Sequence, residues 1–267
     1  MITRFAPSPT GPLHLGHAYS AMVAHDMAVE KNGTFLLRIE DIDQTRARPK
    51  WEDQICDDLT WLGLRWPAPV MRQSDRISVY QKYIKTIWNK HLIYPCSCRR
   101  KDILAATSAP QESAPLIGPD GVIYPGTCRG RTAQTDPIPT AAALRLDMTK
   151  ACALAGVSSE LAHTAGDIVI SRRDMGTSYH LSVVVDDAAQ DVTDVVRGKD
   201  LEDATPVHIL LQILLGLPTP KYHHHKLIRD ENGKRLAKRD DARALSKYRA
   251  EGATPNDIRR LVGLPEV

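Results

Sequence analysis

Pro7, Pro9, Gly11 and Pro12 fall within six positions near the start of the chain, and no helix or central strand can run through them. Each proline fixes φ and removes a backbone donor. The β-compatible run Ile2 to Ala6 must therefore stop before them, and a separate element must start beyond. From about Gly16 to Lys31 the apolar spacing is helical. Phe35 to Ile39, set off by the turn pair Asn32-Gly33, has the apolar, partly branched character of a buried parallel strand and runs into the acidic stretch Glu40-Asp41-Ile42-Asp43. Strand, loop, helix and strand in that order predict a βαβ unit.

Helical periodicity returns over Trp51 to Leu62 and Ile77 to His91. From Tyr94 to about Ala143 the composition turns to Pro, Gly, Ser, Thr and Cys, which reads as an inserted, loop-rich module. Asp167 to Ile170 and His180 to Val185 predict buried strands, the second ending in Asp186-Asp187. Thr205 to Leu215 predicts a core helix with Thr205 as N-cap and Pro206 in the first turn, and Asp241 to Val267 reads as short helices. The expected fold is α/β. A Rossmann-like parallel sheet covers 1–90 and 165–240, interrupted by a module at 91–164 and followed by a helical tail at 241–267, with nucleotide at the carboxyl edge of the sheet.

A chain of 267 residues with 42% hydrophobic and 25% charged residues can bury a full core, which excludes a disordered or fibrous protein. Thirty-five Lys+Arg against 32 Asp+Glu leave a net charge of +3, so any basic surface must be local. No stretch approaches the roughly 18 apolar residues of a membrane span, and Met1 to Gly16 lacks the pattern of a secretory signal. The five cysteines, at 56, 96, 98, 128 and 152, are odd in number and unevenly spaced, as expected in a reducing compartment. These features predict a cytoplasmic protein without membrane contact, expected as a monomer.

Two segments carry chemistry. Arg4-Phe5-Ala6-Pro7-Ser8-Pro9-Thr10-Gly11-Pro12-Leu13-His14-Leu15-Gly16-His17 places two histidines three apart where a loop opens a helix. A helix N-terminus offers unpaired N–H groups and partial positive charge, Gly16 lets the backbone approach closely, and imidazoles can donate to phosphate oxygens. Histidines at i and i+3 can equally cap and pack a helix. The second segment, Lys234-Arg235-Leu236-Ala237-Lys238-Arg239, follows the turn Asp230-Glu-Asn-Gly233. A lysine there can meet charge developing on a departing pyrophosphate, although most such basic runs are solvated faces.

Through these two segments the sequence resembles the class I glutamyl-tRNA synthetases. Leu37-Arg-Ile-Glu-Asp-Ile-Asp43 and Tyr179-His-Leu-Ser-Val-Val-Val-Asp-Asp187 through Asp194-Val-Val-Arg-Gly198 extend the likeness. The chain stops 28 residues after Arg239, where those synthetases continue into an anticodon-binding region. It is therefore similar to the truncated glutamyl-queuosine tRNA(Asp) synthetase family. The resemblance implies ATP-dependent activation of L-glutamate with Mg²⁺, then transfer of the glutamyl group to the queuosine base of tRNA(Asp). It implies that His14, Gly16, His17 and Lys238 hold ATP, with His14, His17 and Lys238 catalytic. It further implies that Arg4, Phe5, Ala6, Pro7, Ser8, Glu40, Tyr179 and Arg197 line the glutamate site. Guanidinium suits carboxylate and carboxylate suits ammonium. Taken singly, the arginines could be surface ion pairs, Glu40 a cap and Tyr179 a core aromatic. In the lysine loop Arg235 stands where the family has a first lysine and Ala237 where it has a serine, so Lys238 is the one retained group.

Cys96-Ser97-Cys98 and Cys128 supply three thiols, one short of a tetrahedral zinc site. The resemblance supplies Tyr124 as the fourth ligand, with a lengthened spacer between Cys98 and Tyr124; three reduced buried cysteines are the alternative. Cys56 and Cys152 read as core. In His223-His224-His225 only the first and third could share a strand face, and the run reads as structural or phosphate-facing. Three other functions compete with the main one: a short synthetase charging the 3′ end of tRNA(Glu), a small-molecule nucleotidyltransferase, and a non-catalytic tRNA-binding paralogue.

Overall fold

The prolines at 7, 9 and 12 separate a strand from a helix, as their chemistry requires. In the computed structural model, which describes residues 1–107, 116–130, 137–229 and 243–266, the chain begins β1 (Ile2–Phe5), α1 (Leu15–Glu30), β2 (Thr34–Ile39), α2 (Pro49–Trp61), β3 (Met71–Arg72) and α3 (Ile77–Asn89). The middle follows as β4 (Ile93–Cys96), α4 (Arg100–Thr107), β5 (Ile117–Gly118), β6 (Gly121–Val122), β7 (Ala143–Leu146), α5 (Met148–Ala155), α6 (Glu160–Ala165), β8 (Val169–Ser171) and α7 (Tyr179–Ala189). The chain then continues through β9 (Asp194–Gly198), α8 (Thr205–Leu215), β10 (Lys221–His225), α9 (Leu245–Ala250) and α10 (Pro255–Val262). It divides into two compact units, one of Met1–Asp75, Asp191–Glu202 and Pro220–Val267, the other of Arg76–Gln190 and Asp203–Thr219.

In the first unit β1, β2 and β3 form a parallel sheet, with Ile2 opposite Thr34 and Arg38 opposite Met71. The β1, α1, β2 run is the expected βαβ unit. β9 and β10 pair in parallel, and the Thr193 amide donates to the Ile2 carbonyl at 3.0 Å, which sets β9 beside β1. α1 turns Ala18, Ala21, Ala24 and Ala28 into the core, where their small side chains let it lie close enough for Thr3 Oγ1 to donate to the Ala24 carbonyl at 2.7 Å. The tail belongs to the same core. Leu245 and Ile258 are buried with Phe5, Leu37 and Met22, and the guanidinium of Arg259 pairs with Asp26 on α1. Thr254 and Asp257 form a capping box that starts α10, with Pro255 in its first turn.

The second unit contains an antiparallel sheet in the order β4, β7, β8. Its buried hub is Asp167, which accepts from Arg129 Nε at 2.8 Å, from the Met148 amide at 3.0 Å and from the Tyr94 hydroxyl. The 91–164 stretch is thus more regular than its composition predicted. α3 and α7 cluster with that module rather than with the parallel sheet.

Two expectations from the sequence need correction. His180 to Val185 is not a strand but part of α7, started by Ser178, whose side chain accepts from the Leu181 amide. Every residue from His180 to Asp187 is buried, so the segment has no exposed face whose period could distinguish helix from strand, and its three valines tilted the reading towards strand. Thr205 is the first helical residue of α8 and not its cap; Ala204 occupies that position.

α7 is fastened to α3 through Asp186, fully buried, which accepts from Arg76 Nε at 2.7 Å and from the Tyr80 hydroxyl at 2.8 Å. Asp186→Ala leaves both donors facing a cavity and is expected to cost about 3 kcal/mol. A urea titration with unchanged slope would show it as a lowered midpoint.

Candidate active site

The loop from Ala6 to His14 is short of regular hydrogen bonds and is held by its neighbours. The Glu40 amide donates to the Pro7 carbonyl at 3.0 Å, the Arg48 amide to the Pro9 carbonyl at 3.0 Å, and the Leu245 amide to the Leu13 carbonyl at 2.8 Å. The chain enters α1 through His14, extended at φ −129° and ψ 176°. His14 Nδ1 accepts from the Gly16 amide at 3.1 Å, and His17 Nδ1 accepts from the His14 amide at 3.2 Å. This is a capping box made of imidazoles. The capping and phosphate-binding roles are therefore compatible. With both Nδ1 atoms accepting, the proton of each neutral ring resides on Nε2, so each ring can donate from that side to an anion. The rings lie 3.8 Å apart, centroid to centroid, at the positive end of a 16-residue helix.

Of the residues expected at the glutamate site, Arg4 and Arg197 are buried, at 5% and 4% exposure, on the neighbouring strands β1 and β9. Arg4 Nη1 donates to the Val196 carbonyl at 3.3 Å. Arg197 Nε lies 3.4 Å from His224 Nε2, and its guanidinium lies over the Tyr222 ring at 5.0 Å. Burial and the adjacent Arg197 charge hold the His224 imidazole below its ordinary pKa, which keeps it neutral and able to accept. Glu40, just past β2, receives Arg38 Nη2 at 3.2 Å. Phe5 and Pro7 are buried, Ala6 is half-buried and Ser8 is exposed. Tyr179 is the first residue of α7 in the other unit, half-buried, with its ring 5.4 Å from that of His180 and 5.6 Å from that of His208. Lys238, with Arg235 and Ala237, lies outside the described residues.

Sequence reasoning missed Arg38 and Tyr222, while the histidine run makes structural contacts, one of its two readings. Arg38 sits inside an apolar strand yet is fully buried, an exception to the rule that arginine lies outside. β10 carries the histidines, and His223 Nε2 meets Asp194 Oδ1 at 2.7 Å across the strand pair.

The Sγ atoms of Cys96, Cys98 and Cys128 lie within 4.8 Å of one another. The Tyr124 hydroxyl is 3.4 Å from Cys96 Sγ and 3.5 Å from Cys98 Sγ, and Cys98 and Cys128 are 3.5 Å apart. Bonds of about 2.3 Å from zinc to sulfur set tetrahedral neighbours roughly 3.8 Å apart, so the donor set fits a zinc ion in spacing and type. Burial raises the Cys128 thiol, but hydrogen bonds from Tyr124 and the Ser97 backbone outweigh it and bring it down to about 6. Cys152 is buried as expected and Cys56 half-buried.

A Cβ at Gly16 would meet His14 Cε1 at 3.1 Å and Nδ1 at 3.2 Å. Gly16→Ala is therefore expected to displace the imidazole, lose its cap and cost about 1 kcal/mol of stability by urea titration.

Residues 1–265 match the family described as tRNA synthetases class I (E and Q), catalytic domain. The chain is 59% identical over 280 residues to the glutamyl-Q tRNA(Asp) synthetase of Rhodobacter capsulatus, covering 99% of this chain and all of that one. It is 39% identical over 260 residues to that of Deinococcus radiodurans, covering 96% and 85%. Among solved structures it is similar to a glutamate tRNA ligase from Elizabethkingia meningosepticum in complex with its amino acid, with TM-score 0.77 and 25% identity, over 98% of this chain. It spans 60% of that ligase's length. The chain belongs to the class I tRNA synthetases of the E and Q type and, within them, to the glutamyl-Q tRNA(Asp) synthetases.

Proposed function

We propose that this protein activates L-glutamate with ATP and transfers the glutamyl group to the queuosine base in the anticodon of tRNA(Asp). The observation that carries the reading is the histidine-capped start of α1 together with two buried arginines on adjoining strands. The first is built for phosphate, the second for carboxylate.

In the first step a carboxylate oxygen of glutamate attacks the α-phosphorus of ATP. The bond from that phosphorus to the bridging oxygen breaks, and pyrophosphate leaves with the electron pair. His14 and His17 donate from Nε2 to phosphate oxygens and the Gly16 backbone allows close approach; Mg²⁺ bound with ATP would neutralise charge on the phosphates. Lys238 offsets charge on the leaving pyrophosphate. Arg4 and Arg197 take carboxylate oxygen, Glu40 takes the ammonium, and Phe5, Ala6, Pro7 and Ser8 form the wall; Tyr179 completes recognition. In the second step a hydroxyl of the acceptor attacks the glutamyl carbonyl, the acyl bond to the AMP phosphate breaks, AMP leaves, and the hydroxyl proton is released. Positioning and fixed charge supply the catalysis.

Cys96, Cys98, Tyr124 and Cys128 are proposed to hold one structural zinc, which would tie the Cys96–Cys98 stretch to the Tyr124–Cys128 stretch within the 91–164 acceptor-contact module. Elemental analysis is expected to give about one zinc per chain, lost when Cys96 and Cys128 are both changed to serine. The protein is proposed to act on tRNA in the cytoplasm as a monomer; among the described residues no helix is long and apolar enough to cross a membrane.

The purified protein, with ATP, Mg²⁺ and labelled glutamate, is presented in parallel with tRNA(Asp) carrying queuosine, the same tRNA without it, and tRNA(Glu). Label is expected on the first alone. Label on tRNA(Glu) would indicate an ordinary synthetase instead, and no label without pyrophosphate exchange would indicate a binding protein.

A further inference from the structure

The second unit contains an open cleft of about 680 Å³, a size suited to a nucleoside with its flanking groups. Tyr179 and His180 line one part of it, Asp120 another, and Arg100, Arg172 and Arg173 contribute exposed guanidiniums. Asp120 lies in the turn joining β5 to β6, inside the lengthened spacer between Cys98 and Tyr124. Gly121 beside it, at φ +93°, makes that tight turn possible.

The carboxylate of Asp120 is fixed from behind. His180 Nε2 lies 2.9 Å from Oδ1, the Val169 amide donates to Oδ2 at 3.2 Å, and His180 Nδ1 lies 3.0 Å from His208 Nε2. Both imidazoles are buried, while the Asp120 side chain keeps 37% of its surface exposed. Burial raises this carboxyl, but the hydrogen bonds from His180 and the Val169 amide, with the nearby His180 and Arg145 charges, together outweigh it, and the group is held below the usual carboxylate range. An ionised carboxylate only accepts, so His180 Nε2 carries the proton it donates to Asp120, and one further proton bridges His180 Nδ1 and His208 Nε2. A carboxylate offers about four lone-pair directions, of which this network uses two. Asp174 also lines the cleft, 3.8 Å from Arg172, while Asp167 is taken up by Arg129 and the buried Arg145 lies over the Tyr124 ring. A buried relay that fixes the Asp120 carboxylate at the edge of a cleft bordered by three exposed guanidiniums is an arrangement for a ligand bearing both signs of charge.

We propose that the cleft holds the acceptor nucleoside, with Asp120 receiving the secondary ammonium of the queuosine side chain and Arg100, Arg172 and Arg173 taking flanking phosphates. The inference rests on the transfer reaction proposed above and deepens it. Guanidiniums suit phosphate oxygens without regard to sequence, so they would hold any RNA; the carboxylate selects. A 3′-terminal ribose and a cyclopentene diol offer similar hydroxyls, but only the queuosine side chain adds a cation. Tyr179 offers a face on which a base can stack. The lengthened spacer is then a specificity device of the module.

The test separates the two half-reactions. Asp120→Asn keeps an oxygen to accept from His180 and removes only the charge. It is expected to lower kcat/KM for glutamyl transfer to queuosine-bearing tRNA(Asp) roughly tenfold or more, and to leave glutamate-dependent ATP–pyrophosphate exchange within about twofold of wild type. The Arg172→Ala, Arg173→Ala double variant is expected to raise KM for the tRNA and flatten its salt dependence, again sparing exchange. Transfer by Asp120→Asn within about twofold of wild type would overturn the proposal, as would a parallel fall in exchange, which would assign Asp120 to glutamate activation. Wild-type protein that fails to label queuosine-bearing tRNA(Asp) would overturn the transfer reading itself, and that failure is visible before any variant is compared.

Discussion

The Gly16 amide bound to His14 Nδ1, and the His14 amide bound to His17 Nδ1, join local structure to chemistry at one point. A helix start leaves its first amides without acceptors, and most proteins answer with serine, threonine or aspartate. Here imidazoles do so. An aspartate would have brought negative charge to the positive end of α1; an imidazole satisfies the amide with one nitrogen and places its proton on the other. The prolines of the preceding loop and the amides of Glu40, Arg48 and Leu245 that bind it hold this arrangement in place.

The second constraint is the burial of positive charge. Arg4, Arg38 and Arg197 lie within the sheet unit at low exposure, where an uncompensated guanidinium is costly. Glu40, the Val196 carbonyl and neutral His224 offset part of that cost. Charges fixed in this way need little reorganisation when an anion approaches them.

The legible parts of the sequence were those whose cause is local. The prolines bounded β1 and α1, the 3.6-residue spacing marked α1, α2 and α3, Pro206 marked the start of α8, and Cys96-Ser97-Cys98 announced a cluster. α7 was misread because burial on all sides erased its period. Arg38 gave no signal, since an arginine in an apolar strand can as easily mark an edge. Asp120, His180 and His208 were invisible as a group. They are 60 and 28 residues apart in sequence, and only the folded module brings them within hydrogen-bonding reach.

The alanine face of α1 turns the helix into a lever. Sixteen residues at about 1.5 Å each make it about 24 Å long, so a tilt of three degrees about its far end moves the histidine end by roughly 1 Å. That is about twice the tolerance of a positioned catalytic group. Ala28 lies near the fulcrum, two residues from Asp26, the partner of Arg259 in the tail. The position of the two imidazoles is thus set in part by packing a full helix length away.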